Sequence, residues 1–113
     1  MFTNNQLDLI QSLTKVDRKT INTRLLKIME ELGECSQAFI SYEAVSGCNY
    51  KGCTQMNILE EALDTFLCVL SLVYQIADEY NIDQDKVQKL INKKLIKWEN
   101  KVTTPHIQND DCM

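Results

Sequence analysis

Apolar residues recur along most of this chain at alternating spacings of three and four, the period at which one face of an α-helix returns. The clearest segment follows Val16-Asp17, where an apolar staple precedes a predicted N-cap, and it predicts a helix of roughly 25 residues ending near Ser46-Gly47. A weaker pattern predicts a helix over residues 4–14. The apolar line of the longer helix, expected to face the core, is Leu25, Ile28, Leu32, Cys35, Phe39 and Tyr42.

The next predicted helix holds the longest apolar segment and extends from about residue 55 to residue 80, with Thr54 as its cap. The segment SGCNYKGCT before it is predicted to be a loop because it holds two of the three glycines. Residues 66–77 are apolar nearly all round. Such a helix must be covered on several sides, so burial at a subunit interface is expected.

The last predicted helix is rich in lysine. Ile82-Asp83 followed by Val87 repeats the staple and cap, and the pattern continues to about Val102. One line of this helix carries Lys86, Lys89, Lys93 and Lys97, and another carries Val87, Ile91, Leu95, Trp98 and Val102. Pro105 ends the pattern, and residues 103–113 are expected to form a flexible tail.

Length and composition favour one all-α domain. One proline and three glycines leave few helix breakers, and 113 residues are enough for a single core. We therefore expect a bundle of about four helices over residues 1–113, with an N-terminal helical segment at 1–16. The all-round apolar helix predicts a homodimer or a dimer of dimers.

Charge and cysteine content disfavour several classes of protein. A net charge of −4 disfavours a nucleic-acid polymer as partner. The apolar run is too short for a membrane helix and the N-terminus does not resemble a signal peptide, so a cytoplasmic location is expected. The five cysteines are expected to be reduced, with a Cys48–Cys53 bridge as an alternative. Zinc is disfavoured because the one histidine, His106, lies in the tail.

Two acidic clusters carry the candidate chemistry. Glu31 and Glu34 share a face of one predicted helix, and Glu61 and Asp64 share a face of the next at the same spacing. A solvated face is the ordinary interpretation of one such cluster. Asp64, however, directly precedes the apolar run and is expected to be at least partly buried, where a carboxylate needs a proton or a cation. Oxygen ligands alone favour Mg²⁺, Mn²⁺ or Ca²⁺, and carboxylate Mg²⁺ sites mostly act on phosphates.

This arrangement resembles the signature of the MazG-like nucleoside triphosphate pyrophosphohydrolases. The likeness rests on Glu31-x-x-Glu34, a 26-residue spacer and Glu61-x-x-Asp64, with the doubled Glu30 and Glu60 and with Lys27 one turn earlier. It covers roughly residues 20–102, and the segment SGCNYKG resembles the loop of short phage and bacterial members.

The resemblance implies a Mg²⁺-dependent hydrolase (Mn²⁺ as an alternative) that splits a nucleoside triphosphate between its α- and β-phosphates into a monophosphate and pyrophosphate. It implies Glu30 or Glu34 as the group that orients or deprotonates water. The implied metal ligands are Glu31, Glu34, Glu61 and Asp64. The implied phosphate contacts are Lys27 and one or two of Lys89, Lys93 and Lys97. Tyr50 and Lys51, flanked by Gly47 and Gly52, are candidate nucleotide contacts, with an ordinary loop as the alternative.

One departure leaves the register of the last helix open. The family commonly carries Lys and Arg or Asn four residues apart there, whereas both Lys89/Lys93 and Lys93/Lys97 have that spacing here, with no arginine. Two other functions stay open beside hydrolysis. One is a non-catalytic helical interaction or regulatory module of the same fold. The other, a ferritin-like redox di-metal protein, is weakened because the chain has no Glu-x-x-His pair.

Overall fold

The computed structural model describes residues 1–43 and 54–104, and these residues form four α-helices and no strand. The all-α prediction is therefore confirmed for the described part of the chain. The helices are α1 (Asn4–Val16), α2 (Ile21–Tyr42), α3 (Gln55–Glu79) and α4 (Gln84–Thr103). No helix among the described residues is long and apolar enough to cross a membrane. The predicted loop 44–53 and tail 105–113 lie outside the described residues.

Short polar side chains begin each helix. The hydroxyl of Thr54 accepts from the backbone N–H of Asn57 (3.2 Å) and the carboxylate of Asp83 accepts from that of Lys86 (2.9 Å), which confirms both predicted caps. The predicted cap of the second helix is wrong. Thr20, not Asp17, caps α2, and Asp17 instead ends α1, because its N–H donates to the carbonyl of Leu13 at 2.8 Å.

Asn81 ends α3 in the left-handed region, with a φ of 54°. The N–H of Ile82 donates to the carbonyl of Ala77 (2.8 Å) and that of Asn81 to Asp78 (3.3 Å), so the last turn closes as a Schellman motif. Asparagine tolerates this backbone better than most residues with a side chain, and the turn leads directly into the Asp83 cap of α4.

The chain divides into two compact units, Met1–Ile76 and Ala77–Met113. The first contains α1, α2 and most of α3, and Phe2 packs edge-on against Phe66 with ring centroids 5.3 Å apart. The second contains the end of α3 and all of α4, whose residues are exposed apart from the partly buried Val87 and Lys101. Lys101 also interacts with another residue.

The face of α2 that is buried in this chain is not the predicted one. Leu25, Leu32, Phe39 and Tyr42 of the predicted apolar line are exposed, and only Ile28 and Cys35 are partly buried. The buried residues of α2 are Arg24, Glu31, Ala38 and Ser41, at spacings of seven, seven and three. The prediction failed because it assigned the core to the most apolar line, whereas a polar line faces the rest of the first unit.

Arg24 explains why the polar line faces inward. Only 6% of this residue is exposed, and its Nη2 donates to the carbonyls of Asp17 (2.8 Å) and Thr14 (3.2 Å) at the end of α1. Its Nε donates to the side-chain carbonyl of Gln75 on α3, whose amide donates in turn to the carbonyl of Lys19 at 2.9 Å. One guanidinium thus joins α1, α2 and α3, and a cation suits the negative end of α1.

Replacing Arg24 with alanine is expected to lower the free energy of unfolding by about 2–4 kcal/mol, because buried carbonyl oxygens lose their donor. The matched control is Arg18→Ala, since Arg18 is exposed on the connection between α1 and α2, and it should stay within about 0.5 kcal/mol of wild type. Urea denaturation followed by circular dichroism measures both variants. Equal losses in the two would show that the Arg24 contacts contribute little.

Candidate metal centre

Helix periodicity brings the acidic residues of α2 to one side of the first unit. Glu31 and Glu34 are three residues apart and therefore lie one turn apart, on the line that also contains Arg24 and Ala38. Because Arg24 turns this line toward α3, Glu31 and Glu34 are carried toward Glu61 of that helix. Glu61 of the second predicted cluster thus meets Glu31 and Glu34 of the first through the packing of α2 on α3.

Three carboxylates converge. One oxygen from each of Glu31, Glu34 and Glu61 lies within 4.8 Å of the other two, a separation that one cation can bridge. Glu31 is the most buried, with 8% of the residue and 11% of its side chain exposed. Glu61 is partly buried and Glu34 is exposed, so the group lies at the edge of the α2–α3 packing and open to solvent on the side of Glu34.

Lys27 compensates part of this negative charge. Its Nζ lies 3.0 Å from an oxygen of Glu31 and 3.2 Å from one of Glu30. The hydrogen bond to Glu31, followed by that to Glu30, raises the pKa of Lys27 well above its ordinary value. Lys27 therefore remains an ammonium, partly exposed, and it holds Glu30 and Glu31 along the same side of α2.

Lys27 leaves part of the negative charge of this group uncompensated, and Glu34 is the residue at which this has an effect. The negative charge of Glu31 is the main reason that the pKa of Glu34 is raised above its usual value of 4.5, and burial, Glu61 and Glu30 raise it further. Lys27 acts in the opposite direction without cancelling them. A carboxylate in this position gains from either a proton or a cation.

The chemistry of the donors fits a hard divalent cation. Oxygen Oε2 of Glu61 is buried and has no hydrogen-bond partner among the described residues, a costly state for a carboxylate oxygen. A cation among Glu31, Glu34 and Glu61 would satisfy that oxygen and relieve the repulsion that raises the pKa of Glu34. Carboxylate oxygens favour Mg²⁺ or Mn²⁺ over zinc.

Asp64 differs from its prediction. It was expected to be at least partly buried, but it is exposed on α3 and is not among the three acids whose oxygens converge. The reason is that Asp64 lies one turn beyond Glu61, where the neighbouring Leu63 and Phe66 are themselves exposed. Its negative charge does reach Cys68, whose pKa is raised by burial first, then by Glu31 and, to a smaller extent, by Asp64.

The structure places the remaining predicted residues as follows. Glu30 is exposed and paired with Lys27. Lys89, Lys93 and Lys97 are exposed on α4 in the second unit. Tyr50 and Lys51, like Cys48 and Cys53, lie outside the described residues.

Ser41 is a buried polar residue of α2 that the sequence patterns did not single out, and it lies about 15 Å along the helix from Glu31. It is 3% exposed, its hydroxyl has no partner among the described residues, and it lies on the same α2 line as Glu31 and Ala38. The signal that could have identified it is its spacing of ten from Glu31, which is close to three helical turns.

Comparison of the chain with protein-family models, with curated protein sequences and with solved structures finds no match.

Proposed function

We propose that this protein is a MazG-like, Mg²⁺-dependent nucleoside triphosphate pyrophosphohydrolase, with Mn²⁺ as an alternative metal. Its products would be a nucleoside monophosphate and pyrophosphate. The observation that carries the proposal is the meeting of Glu31, Glu34 and Glu61 within 4.8 Å at an edge open to solvent. A divalent cation held by carboxylates is the usual partner of a polyphosphate in protein sites.

The metal would be held by Glu31, Glu34 and Glu61, and Asp64 is the fourth proposed ligand. When bound, Mg²⁺ supplies charge neutralisation for the phosphate oxygens. The buried Glu31 and the buried Oε2 of Glu61 would fix the ion against α2 and α3. Because Asp64 lies outside the group of three acids, its side chain would have to move to reach the same ion, either by itself or when the triphosphate binds.

Glu34 is the proposed general base. Water attacks one of the two phosphorus atoms of the α–β linkage, the bond from that atom to the bridging oxygen breaks, and this oxygen leaves on the other phosphate. A carboxylate oxygen of Glu34 takes the proton of the water. The Glu34 carboxylate is exposed on the solvent side of the three acids, where an attacking water could reach it. Glu30 is the less suitable base because its oxygen already accepts from Lys27 at 3.2 Å.

The proposed phosphate contacts are the ammonium of Lys27, which is 42% exposed in its side chain, and one or two lysines of α4. Lysine acts as a mobile point charge without the bidentate geometry of arginine. Such contacts suit a flexible triphosphate chain better than a rigid planar group.

The proposed assembly is a homodimer or a dimer of dimers, and the protein is proposed to act in the cytoplasm. Among the described residues the buried apolar side chains are Ala38 and Ala77, whereas many large apolar side chains are exposed on α2 and α3. The same surface favours the second candidate, a helical interaction module without turnover. Measurement of catalysis separates the two.

Wild-type protein should release pyrophosphate from at least one member of a panel of ribo- and deoxynucleoside triphosphates, and only with Mg²⁺ or Mn²⁺. A colorimetric pyrophosphate assay with and without chelator measures this. Glu61→Gln keeps the shape of the side chain but removes a ligand charge, and should lower turnover by about 10²–10³. Glu79→Gln on the same helix is the matched control. Folded protein that hydrolyses nothing on the panel would leave the interaction module as the better candidate.

Replacing Asp64 distinguishes two roles for this residue, that of a metal ligand and that of an exposed structural acid. If Asp64 joins the ion, Asp64→Asn should lower turnover by about 10²–10³ at saturating Mg²⁺ and leave the melting temperature in chelator unchanged or slightly higher. Steady-state kinetics and thermal melts of the same preparation measure both. Near-normal turnover of the variant would restrict the ligands to Glu31, Glu34 and Glu61.

Glu34 should make the metal-free protein less stable as pH rises. The folded state binds the Glu34 proton more tightly than the unfolded state, so stability falls from pH 4.5, the usual pKa, upward through the raised pKa. Glu34→Gln should remove this slope and melt higher than wild type at pH 7 in chelator, but gain less from added Mg²⁺. Melts of both proteins at low salt across pH 4–8 test it. A wild-type melting temperature that does not fall relative to that of Glu34→Gln as pH rises contradicts it.

A further inference from the structure

Lys27 places a positive charge directly against the proposed metal ligands. Its Nζ lies 3.0 Å from an oxygen of Glu31 and 3.2 Å from an oxygen of Glu30, and Glu31 is the most buried of the three converging acids. No lysine or arginine in the described part of the chain pairs with Glu34 or Glu61. The ammonium of Lys27 is therefore the one cation paired with this group of acids among the described residues.

A lysine cannot take the whole place of a divalent cation here. The contacts of Lys27 end at Glu30 and Glu31, and Oε2 of Glu61 has no hydrogen-bond partner among the described residues. Yet one oxygen from each of Glu31, Glu34 and Glu61 lies within 4.8 Å of the other two. A divalent cation brings twice the charge and binds several carboxylates at once. Both cations need the Glu31 carboxylate, however, and two positive charges on one carboxylate repel each other.

Lys27 can leave Glu31 without disturbing the packing of α2. Its side chain is 42% exposed, and a lysine head group on its flexible stem can turn to another anion. Arg24, one turn earlier on α2, differs because it is 6% exposed and donates to the carbonyls at the end of α1. The first unit thus combines a fixed cation that orients α2 with a movable one beside the acids.

We propose that Lys27 is a stand-in for the divalent cation and is displaced from Glu31 when the metal binds. The displaced ammonium is then available to the phosphate oxygens of the triphosphate. Lys27 therefore makes the affinity for the cation weaker than the three acids alone would give, and it makes its own phosphate contact depend on prior release from Glu31. This inference rests on the proposed function and adds an order to it, in which the metal binds before Lys27 contacts phosphate.

The test measures Mn²⁺ binding to the full chain without nucleotide, by electron paramagnetic resonance of the free ion. Lys27→Met keeps a long side chain but removes its charge, and should lower the dissociation constant of Mn²⁺ about tenfold, because the competing charge is gone. Lys27→Arg keeps the charge and should bind Mn²⁺ no more tightly than wild type. The matched control is Lys15→Met on the exposed side of α1, which removes the same net charge and should leave the constant within about twofold.

Thermal melts give a second readout that does not involve turnover. In chelator, Lys27→Met should melt lower than wild type, because Glu31 loses its ammonium, and it should gain more from added Mn²⁺ than wild type does. A variant that stays unfolded at saturating Mn²⁺ overturns the proposal, because the ion should replace the lost charge.

The binding data can also overturn the proposal while leaving the metal site intact. This is the case if wild type binds Mn²⁺ and folded Lys27→Met binds it no more tightly, or if Lys27→Arg binds it as tightly as a tightened Lys27→Met. Lys27 would then position Glu31 rather than compete for it. If neither wild type nor Lys27→Met binds Mn²⁺, the metal site itself fails, and the proposed function fails with it.

Discussion

The structure depends on one buried guanidinium. Arg24 donates to the carbonyls of Thr14 and Asp17 and to the side chain of Gln75, and so fixes which side of α2 faces α1 and α3. A buried charge is costly unless it is fully hydrogen-bonded, and here the carbonyl end of α1 supplies the acceptors. Once Arg24 is inside, the residue seven positions later on the same line, Glu31, must be inside as well.

The proposed metal site is a consequence of this orientation. An inward Glu31 meets Glu61 and Glu34 on its α3 side, and Lys27 neutralises only part of the resulting charge. The charge that Lys27 leaves raises the pKa of Glu34, and Oε2 of Glu61 has no hydrogen-bond partner in the part of the chain that the structure describes. The fold therefore keeps an electrostatic cost that binding of a cation would remove, which is typical of sites that gain stability from their ligand.

Sequence patterns predicted the parts of this structure that local rules decide. The four helices, the caps at Thr54 and Asp83, and the approach of Glu61 to Glu31 and Glu34 all follow from spacing and capping chemistry. The inward side of α2 was not predictable from its apolar line, because the partner of Arg24 is a set of backbone carbonyls that leaves no signal in composition. Asp64 was misjudged for a related reason, since an apolar segment in the sequence does not guarantee burial within one copy.

The two sides of α2 have different structural roles. The line of Arg24, Glu31 and Ala38 holds the chain's own helices and assembles the carboxylates, whereas Leu25, Leu32 and Phe39 on another side of α2 are exposed among the described residues. Because the same rigid helix carries both, covering these exposed apolar side chains would also restrain Glu31 and Glu34 on the other side of α2. Metal binding and self-association would then stabilise the same helix, and each should strengthen the other by thermodynamic linkage. If adding Mg²⁺ left the dissociation constant of the assembly unchanged, the two faces would be energetically independent.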